Sequence, residues 1–244
     1  MAIGNGRRDE KAKLSSNRYG QAYDRLVSIL LSGRIEPNTR LTEAELTQML
    51  NVSRGTIRSL LVRLAQEGYV TSEVNRGVRT RIFSVTDAVD ILEAREVLEA
   101  ALAAKAAERA AQQELDDLTR TVGAMREAQL KGAQDEYSGL NRSFHQQIRR
   151  AAHQETLARF HDALLYPLVM RQYRNLEAPH PRAGSLEEHQ AILSAIITRN
   201  PEAASATMRH HIASARQGLL LKYAPGSGDP AGLRQEPARD GGPR

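Results

Sequence analysis

The sequence predicts a mainly α-helical protein made of two parts that differ in character. Up to about residue 84, short helical segments are separated by turns and followed by a stretch in which apolar and polar residues alternate. Beyond it, long segments rich in Ala, Leu, Glu and Arg carry apolar residues at helical spacing. Aromatic residues make up only 4% of the chain, so the core must be built mainly from Leu, Ile, Val and Ala.

Composition excludes several classes of protein. The chain has 244 residues, enough for one large or two modest domains. It contains no cysteine, which excludes disulfides and thiolate metal sites and fits a reducing cytoplasm. No run approaches the roughly 18 apolar residues of a membrane helix, and the polar start has no signal-peptide core. We therefore expect a cytoplasmic protein with no membrane partner.

Charge is distributed unevenly along the chain. Residues 1–86 hold 14 Lys and Arg against 8 Asp and Glu, whereas residues 87–224 hold 17 against 18. The net charge of +5 therefore comes from the first part, which favours contact with a polyanion. The alternative is an ordinary solvated surface, because the excess is not extreme.

The two ends differ in composition from the rest. Residues 1–17 and 224–244 are rich in Gly, Pro and charge and have few apolar residues, so we expect a disordered arm and a disordered tail there. Between them we expect a first domain over 18–83 and a second, all-helical domain over 84–223.

The first domain has the pattern of a winged helix-turn-helix. Helices are predicted over 18–33, 43–50 and 54–67, followed by a hairpin over 69–82. Ser53 is a suitable N-cap for the third helix. Two short helices joined by a tight break, the second basic and followed by a hairpin, are typical of a module that inserts the second helix into the DNA major groove.

The third predicted helix carries side chains that can read DNA. Arg54 and Arg58 lie one turn apart on the same face, and arginine can bind guanine O6 and N7 with two hydrogen bonds. Ser53 and Thr56 can bond phosphate oxygens, and Gly55 lets the backbone approach closely. The alternative is a helical hairpin with solvated arginines. At the hairpin tip, Arg76 is placed to enter an adjacent minor groove.

This segment resembles the DNA-binding domain of the GntR family of bacterial transcription regulators. The resemblance rests on Val52-Ser53-Arg54-Gly55-Thr56-Ile57-Arg58, followed by Glu67-Gly68 and by Asn75-Arg76-Gly77. Gly55-Thr56 stands where Thr-Pro is common, and Ser59-Leu60 where an acid and alanine are common. The resemblance implies contacts with double-stranded operator DNA from Ser53, Arg54, Thr56, Arg58 and Gly77.

The second domain is predicted to be a six-helix bundle. The helices are placed at about 86–109, 112–131, 134–152, 154–174, 185–199 and 201–222, and Pro167 should bend the fourth. Among seven histidines, His145, His189 and His211 lie where helices can converge, and Asn141 shares a face with His145. These four could hold a zinc-like ion, although a lone helical histidine is more often structural or solvated.

Residues 86–222 resemble the all-helical FCD effector domain of the FadR branch of the GntR family. Its R-x-x-L-E pattern occurs at Arg95 and Leu98-Glu99, and its Met-x-x-His pattern ends at His211. The resemblance implies a divalent metal, Zn²⁺ or alternatively Ni²⁺ or Mn²⁺, on Asn141, His145, His189 and His211. Asn141 replaces the aspartate of many members and removes a negative charge. The six-helix count favours the vanillate-regulator-type subgroup.

Effectors of this family are mostly small carboxylates, which implies a cationic partner in the site. Arg95 is the first candidate, with an intrahelical pair to Glu99 as the alternative. Arg149, on the Asn141–His145 face, is the second candidate, with a solvated side chain as the alternative. An aromatic or hydroxy acid is the expected effector.

Together these features predict a homodimeric, ligand-responsive repressor that leaves a palindromic operator when a small organic acid binds. One alternative is a repressor that senses the metal itself, without an organic effector. Another is a metal-dependent hydrolase fused to a DNA-binding module. The sequence shows no HExxH motif and no acid obviously placed by the histidines, so we expect no enzyme activity.

Overall fold

We describe the protein from a computed structural model that covers residues 5–32, 34–73, 77–174 and 184–223, with side chains except at 5–16, 73 and 174. The elements within these residues are α1 (Asn5–Ser32), β1 (Arg40–Leu41), α2 (Glu43–Leu50), α3 (Arg54–Gln66), β2 (Val70–Glu73), β3 (Gly77–Thr80), α4 (Val85–Arg109), α5 (Gln112–Leu130), α6 (Gln134–Ala151), α7 (Glu155–Asp162), α8 (Tyr166–Arg174), α9 (Ser185–Ile197) and α10 (Pro201–Tyr223). The predicted mainly α-helical class is confirmed.

The chain forms two compact units. The first combines Met1–Leu98 with Glu155–Tyr173, and the second combines Glu99–Gln154 with Arg174–Arg244. The first half of helix α4 therefore belongs to one unit and its second half to the other. The domain limits expected from composition, 18–83 and 84–223, remain predictions.

The core of the first unit is built from the apolar faces of α1, α2 and α3. Leu26, Leu46, Ile57, Leu60 and Leu64 are at most 2% exposed. Three of them lie on α3 at the helical spacing seen in the sequence, which confirms the predicted apolar stripe. Burial of this stripe leaves the opposite face of α3 to solvent.

A small antiparallel sheet completes the first unit. Its strand order is β1-β3-β2, with Leu41 opposite Val78 and Thr71 opposite Arg79. The predicted hairpin is confirmed as β2 and β3. Strand β1 has only two residues, too few for an alternating pattern to predict it. Of the predicted turn Asn75-Arg76-Gly77, the first two residues lie outside the described residues.

The N-terminal prediction was wrong over residues 5–17. Helix α1 begins at Asn5 rather than near residue 18. The segment that was expected to be disordered contains Arg, Glu, Lys, Ala and Leu, all good helix formers, and is continuous with the amphipathic helix that follows. The predicted tail over 224–244 lies outside the described residues.

The fourth predicted helix of the second domain, over 154–174, was also wrong. The chain there forms two helices, α7 and α8, separated at Leu165, which has a φ of 57°. Pro167 lies in the first turn of α8, where backbone N–H groups have no partner within the helix. The N–H that proline lacks is therefore not needed there, and Pro167 begins a helix instead of bending one. From Val85 onward the described residues contain seven helices, and the helix count does not favour the vanillate-type subgroup.

The second unit is a bundle formed by the second half of α4 with α5, α6, α9 and α10. Helix α5 packs against α6 and α9, and α9 packs against α10. Ala103, Ala106 and Ala107 of α4 are fully buried, and such small residues let neighbouring helices approach closely. Among the described helices, none combines the length and apolar composition needed to cross a bilayer.

Helix α8 is attached to the first unit by a buried amide. The Gln172 Oε1 accepts a hydrogen bond from the Phe83 backbone N–H at 2.8 Å, and its Nε2 donates to the Phe83 carbonyl at 2.6 Å. The Tyr173 hydroxyl donates to the same carbonyl at 2.8 Å. Gln172 is 6% exposed, so these bonds satisfy backbone groups that water cannot easily reach.

We expect Gln172→Leu to destabilise the protein by about 1–3 kcal/mol, because the buried Phe83 N–H loses its acceptor. The measurement is the urea unfolding curve followed by circular dichroism. Gln112→Leu is the matched control, since Gln112 bonds Asp116 on the exposed surface of α5. Equal stability of the two variants would contradict the structural role of Gln172.

Candidate functional site

The start of α3 is fixed by a side-chain cap. The Ser53 Oγ accepts a hydrogen bond from the Thr56 backbone N–H at 3.2 Å and lies 2.9 Å from the Thr56 Oγ1. Ser53 is therefore the N-cap that the sequence predicts. Both hydroxyls lie at the N-terminal end of the helix, the end from which a recognition helix contacts DNA.

The outer face of α3 presents the two predicted DNA-reading arginines. Arg54, Gly55 and Arg58 are all exposed. The Arg58 Nε donates to the Glu43 Oε1 of α2 at 2.7 Å, and 71% of the Arg58 side chain is accessible. This hydrogen bond holds the pKa of the Glu43 carboxyl below its ordinary value, with a smaller contribution from the charge of Arg54.

The wing, which is the hairpin of β2 and β3, is described only in part. Gly77 opens β3 with a φ of +83°, a conformation that residues with a Cβ rarely adopt. A Cβ at this position would lie 3.7 Å from the Arg40 Nε, so β1 brings a further arginine next to the wing. Arg79 of β3 donates to the Asn38 carbonyl at 2.8 Å. The predicted minor-groove residue Arg76 lies outside the described residues.

The second unit brings three of the predicted metal ligands together. His145 on α6, His189 on α9 and His211 on α10 offer ligand atoms that all lie within 4.8 Å of one another. Their ring centroids are 5.6, 5.2 and 4.4 Å apart. His189 is fully buried, and the side chains of His145 and His211 are 9% and 7% exposed. The cluster is thus a shielded, nitrogen-rich centre.

Each of these rings is oriented through its Nδ1 atom. The His145 Nδ1 lies 2.5 Å from the Glu99 Oε2, and the His211 Nδ1 lies 2.8 Å from the Glu188 Oε2. The His189 Nδ1 lies 2.5 Å from the Ser185 backbone carbonyl of its own helix. An Nδ1–H that donates to oxygen leaves Nε2 as the nitrogen able to bind a metal, the usual arrangement around histidine ligands.

Asn141 completes the cluster on the side of His189. Its Oδ1 lies 2.8 Å from the His189 Nε2. If the His189 Nδ1–H donates to Ser185, then Nε2 and the amide oxygen both present lone pairs to each other. A cation bound between them, or a turned amide that donates from its nitrogen, removes this repulsion. The donor set, three imidazoles and an amide oxygen, fits a divalent metal of the zinc or nickel kind.

Apolar side chains line the cluster. The Phe144 ring lies edge-on to the His189 ring with centroids 5.2 Å apart, and the Tyr137 ring lies edge-on at 6.5 Å. Both aromatic residues are fully buried. Because these aromatic rings and the burial of the cluster exclude water, charge interactions at the histidine nitrogens are stronger than in solvent.

Glu99 and Glu188 are site residues that the sequence interpretation missed. It found no acid placed by the histidines, and that prediction was wrong for the Nδ1 side of two rings. The sequence offers Glu99 as an intrahelical partner of Arg95, although it also belongs to the R-x-x-L-E pattern. Glu188 immediately precedes His189 yet contacts His211, 23 residues further along the chain. Only the motif at Glu99 offered a signal in the sequence.

The two predicted effector-binding arginines have different surroundings. The Arg95 guanidinium lies over the Tyr166 ring at 3.7 Å within the first unit, and the residue is 4% exposed. Arg149 is partly buried in the second unit. Burial, and then the charge of Arg150, lower the pKa of the Arg149 guanidinium, while the charge of Glu99 opposes them. The effector roles of both residues remain predictions.

Two family models match the chain. Residues 18–80 match the model described as bacterial regulatory proteins, gntR family, and residues 90–214 match the FCD domain. The "Probable D-xylose utilization operon transcriptional repressor" of Paenarthrobacter nicotinovorans is 26% identical over 194 residues, covering 80% of this chain and 85% of that protein. The "HTH-type transcriptional repressor RspR" of Escherichia coli (strain K12) is 25% identical over 178 residues, covering 73% and 78%.

Solved structures show the same fold. E. coli McbR/YncC superposes with a TM-score of 0.70 at 20% identity, covering 84% of this chain and 98% of that one. A GntR transcriptional regulator from Rhodococcus sp. RHA1 superposes with a TM-score of 0.67 at 20% identity, covering 85% and 99%. The chain belongs to the GntR family of bacterial regulatory proteins, with an FCD domain; it is a DNA-binding transcription regulator and not an enzyme.

Proposed function

We propose that this regulator is a cytoplasmic, homodimeric repressor that leaves a palindromic operator when a small organic acid binds at or near a divalent metal in its second unit. The observation that carries the proposal is the cluster of His145, His189 and His211 beside Asn141. A chain dedicated only to DNA binding has no need for three converging, nearly buried imidazoles.

Operator recognition is assigned to the exposed end of α3. Arg54 and Arg58 lie one helical turn apart, so both can reach base edges in one major groove. The capped hydroxyls of Ser53 and Thr56 can bond phosphate oxygens beside them, and Gly55 adds no side chain that would keep the backbone away. A two-fold dimer presents two such helices, which is why a palindromic operator is expected.

The metal would be held by the Nε2 atoms of His145, His189 and His211 and by the Asn141 Oδ1. When bound, it would supply a Lewis-acidic centre that binds a carboxylate. All four ligands are neutral, so the compensating negative charge comes from Glu99 and Glu188 behind two of the rings. Three imidazoles favour Zn²⁺ or Ni²⁺ over Mn²⁺, which prefers oxygen ligands.

The carboxylate effector would need a cation near the histidines. Arg149 is four residues from His145 on the same face of α6, and its charge interacts with that of Glu99. It is therefore our first candidate for the effector's carboxylate, ahead of Arg95, whose guanidinium lies over Tyr166.

Coupling between the effector and the operator requires a difference in affinity. An acid that binds the DNA-competent and the released arrangements equally well cannot shift their balance. A repressor that senses the metal alone remains the second candidate, and Glu99 and Glu188 favour it by adding negative charge around the cluster. Release of operator DNA by ZnCl₂ without any organic acid would identify this second candidate.

Metal binding is expected to stabilise the protein. At a free Zn²⁺ concentration 100 times the dissociation constant, the gain is about 2.7 kcal/mol, or about 5–10 °C in Tm for a chain of this size. His189→Ala should abolish this zinc-induced shift in a thermal unfolding experiment. His153→Ala is the control, because His153 is an exposed histidine that bonds Glu114. A shift that survives in His189→Ala would contradict the site.

Restoring a charge at position 141 is expected to tighten the metal site. In Asn141→Asp a carboxylate replaces a neutral amide, and we expect about tenfold or greater gain in Zn²⁺ affinity, equivalent to about 1.4 kcal/mol or more. Competition with a chelating dye measures the change. Gln146→Glu adds the same charge at an exposed position of the same helix and should leave the affinity within about twofold.

The effector is expected to be found by screening small aromatic and hydroxy acids against the zinc-loaded protein bound to DNA. The DNA is a duplex selected by the wild-type protein from a random library. Loss of a charged pair of hydrogen bonds in Arg149→Ala should raise the concentration that releases half of the DNA by about 10- to 100-fold. Arg142→Ala, at an exposed position of α6, should behave like wild type. If no acid in the screen alters DNA binding, the organic-effector proposal fails.

A further inference from the structure

The recognition surface of α3 contains an acid as well as arginines. Glu43, in the first turn of α2, bonds Arg58 through a single contact of 2.7 Å between Oε1 and Nε. The two residues are 15 positions apart, so the contact depends on the packing of α2 against α3. Glu43 is not among the DNA-binding residues that the sequence predicts.

The position of Glu43 is fixed by the local structure of α2. Thr42 caps the helix: its Oγ1 accepts from the Glu45 backbone N–H at 3.3 Å and donates to the Glu45 Oε2 at 2.7 Å. Glu45, three residues after the cap, is therefore engaged in the capping interaction. Glu43 points its carboxylate from the first turn instead, where the helix dipole favours negative charge.

The single contact to Nε has a consequence for base recognition. A guanidinium offers five N–H groups, and a guanine needs two of them to bind O6 and N7. With Nε engaged by Glu43, the four N–H groups of the two terminal amino groups of Arg58 remain as donors for a base. Arg58 is 71% exposed, so without this contact its long side chain would adopt many rotamers. The contact therefore orients the arginine before DNA arrives.

Glu43 also places a negative charge beside the arginines of this surface. Its negative charge lies close to Arg58 and acts on Arg54, the cations that would otherwise attract any phosphate. A carboxylate beside the DNA backbone is repelled by phosphate on every sequence, whereas a guanine contact by the oriented arginine is gained only on the operator. Repulsion of phosphate weakens binding to every sequence, whereas orientation of Arg58 strengthens binding only where a guanine is present. Both effects raise the specificity for the operator.

We propose that Glu43 is a specificity-determining residue, which positions Arg58 for a guanine and weakens binding to sequences that lack it. The proposal rests on the proposed base contact of Arg58. It does not depend on the metal or the effector. The contact is exposed and contributes little to fold stability, so its role can be tested without unfolding the protein.

The test is Glu43→Gln in the full chain, with selection of preferred duplexes from a random DNA library for wild type, Glu43→Gln and Arg58→Ala. In both variants the selected sequences should lose their preference at the same guanine position of each half-site. Fluorescence anisotropy then measures affinity for the wild-type selected duplex and for a scrambled duplex of the same composition. Glu43→Gln should bind the scrambled duplex about three- to tenfold more tightly and reduce the specificity ratio about tenfold.

Glu127→Gln is the charge-matched control. Glu127 pairs with Lys131 on the exposed surface of α5, so its loss changes the net charge equally but leaves α2 and α3 untouched. Glu43→Asp keeps the charge but shortens the side chain, and it should weaken the base preference while leaving scrambled-duplex affinity near wild type. Unchanged unfolding midpoints verify that the variants are folded.

Three results would overturn the proposal in distinguishable ways. If Arg58→Ala loses the base preference and Glu43→Gln keeps both the preference and the specificity ratio, Glu43 has no role in specificity while Arg58 retains its own. If Arg58→Ala keeps the preference, the base contact of Arg58 fails and the role of Glu43 fails with it. If Glu43→Gln and Glu127→Gln raise the affinity for the scrambled duplex equally and leave the specificity ratio unchanged, Glu43 acts only through its contribution to the net charge.

Discussion

The second unit depends on how three buried imidazole rings satisfy their nitrogens. A polar nitrogen that is removed from water must find a partner, and each Nδ1 finds one oxygen: Glu99, the Ser185 carbonyl or Glu188. Two of these contacts join different helices, α4 to α6 and α9 to α10. The contacts therefore fix the orientations of the rings and help to set the register of four helices around one centre.

The same contacts determine the charge of the site. Glu99 and Glu188 are nearly buried carboxylates, and buried negative charge is costly unless a positive charge lies close by. A divalent ion among the rings would provide it, and Arg149 contributes from the edge. A neutral ligand at Asn141 is compatible with metal binding for this reason. The negative charge lies on Glu99 and Glu188, each one hydrogen bond behind an imidazole ring.

The proposed DNA-reading surface of α3 has a related pairing that is exposed to water. Glu43 holds Arg58 as Glu99 holds His145, through one short contact between a carboxylate oxygen and a ring or guanidinium nitrogen. The exposed pair is screened by solvent, so separating it costs little free energy. The buried pair lacks this freedom, because separating it would leave charge without water. Burial thus makes the Glu99–His145 pair much harder to separate than the Glu43–Arg58 pair.

The sequence by itself determined the features that depend on neighbouring positions in the chain. The apolar stripe of α3, its cap at Ser53 and the common face of Arg54 and Arg58 follow from helical periodicity, and the family pattern indicated which histidines to consider. Only the tertiary structure decided which acid bonds which histidine and that Glu43 bonds Arg58. Those partners lie 46, 23 and 15 residues apart, and their meeting depends on how helices pack rather than on any local period. The structure alone also revealed the break at Leu165, where a left-handed backbone conformation interrupts an otherwise helical sequence pattern.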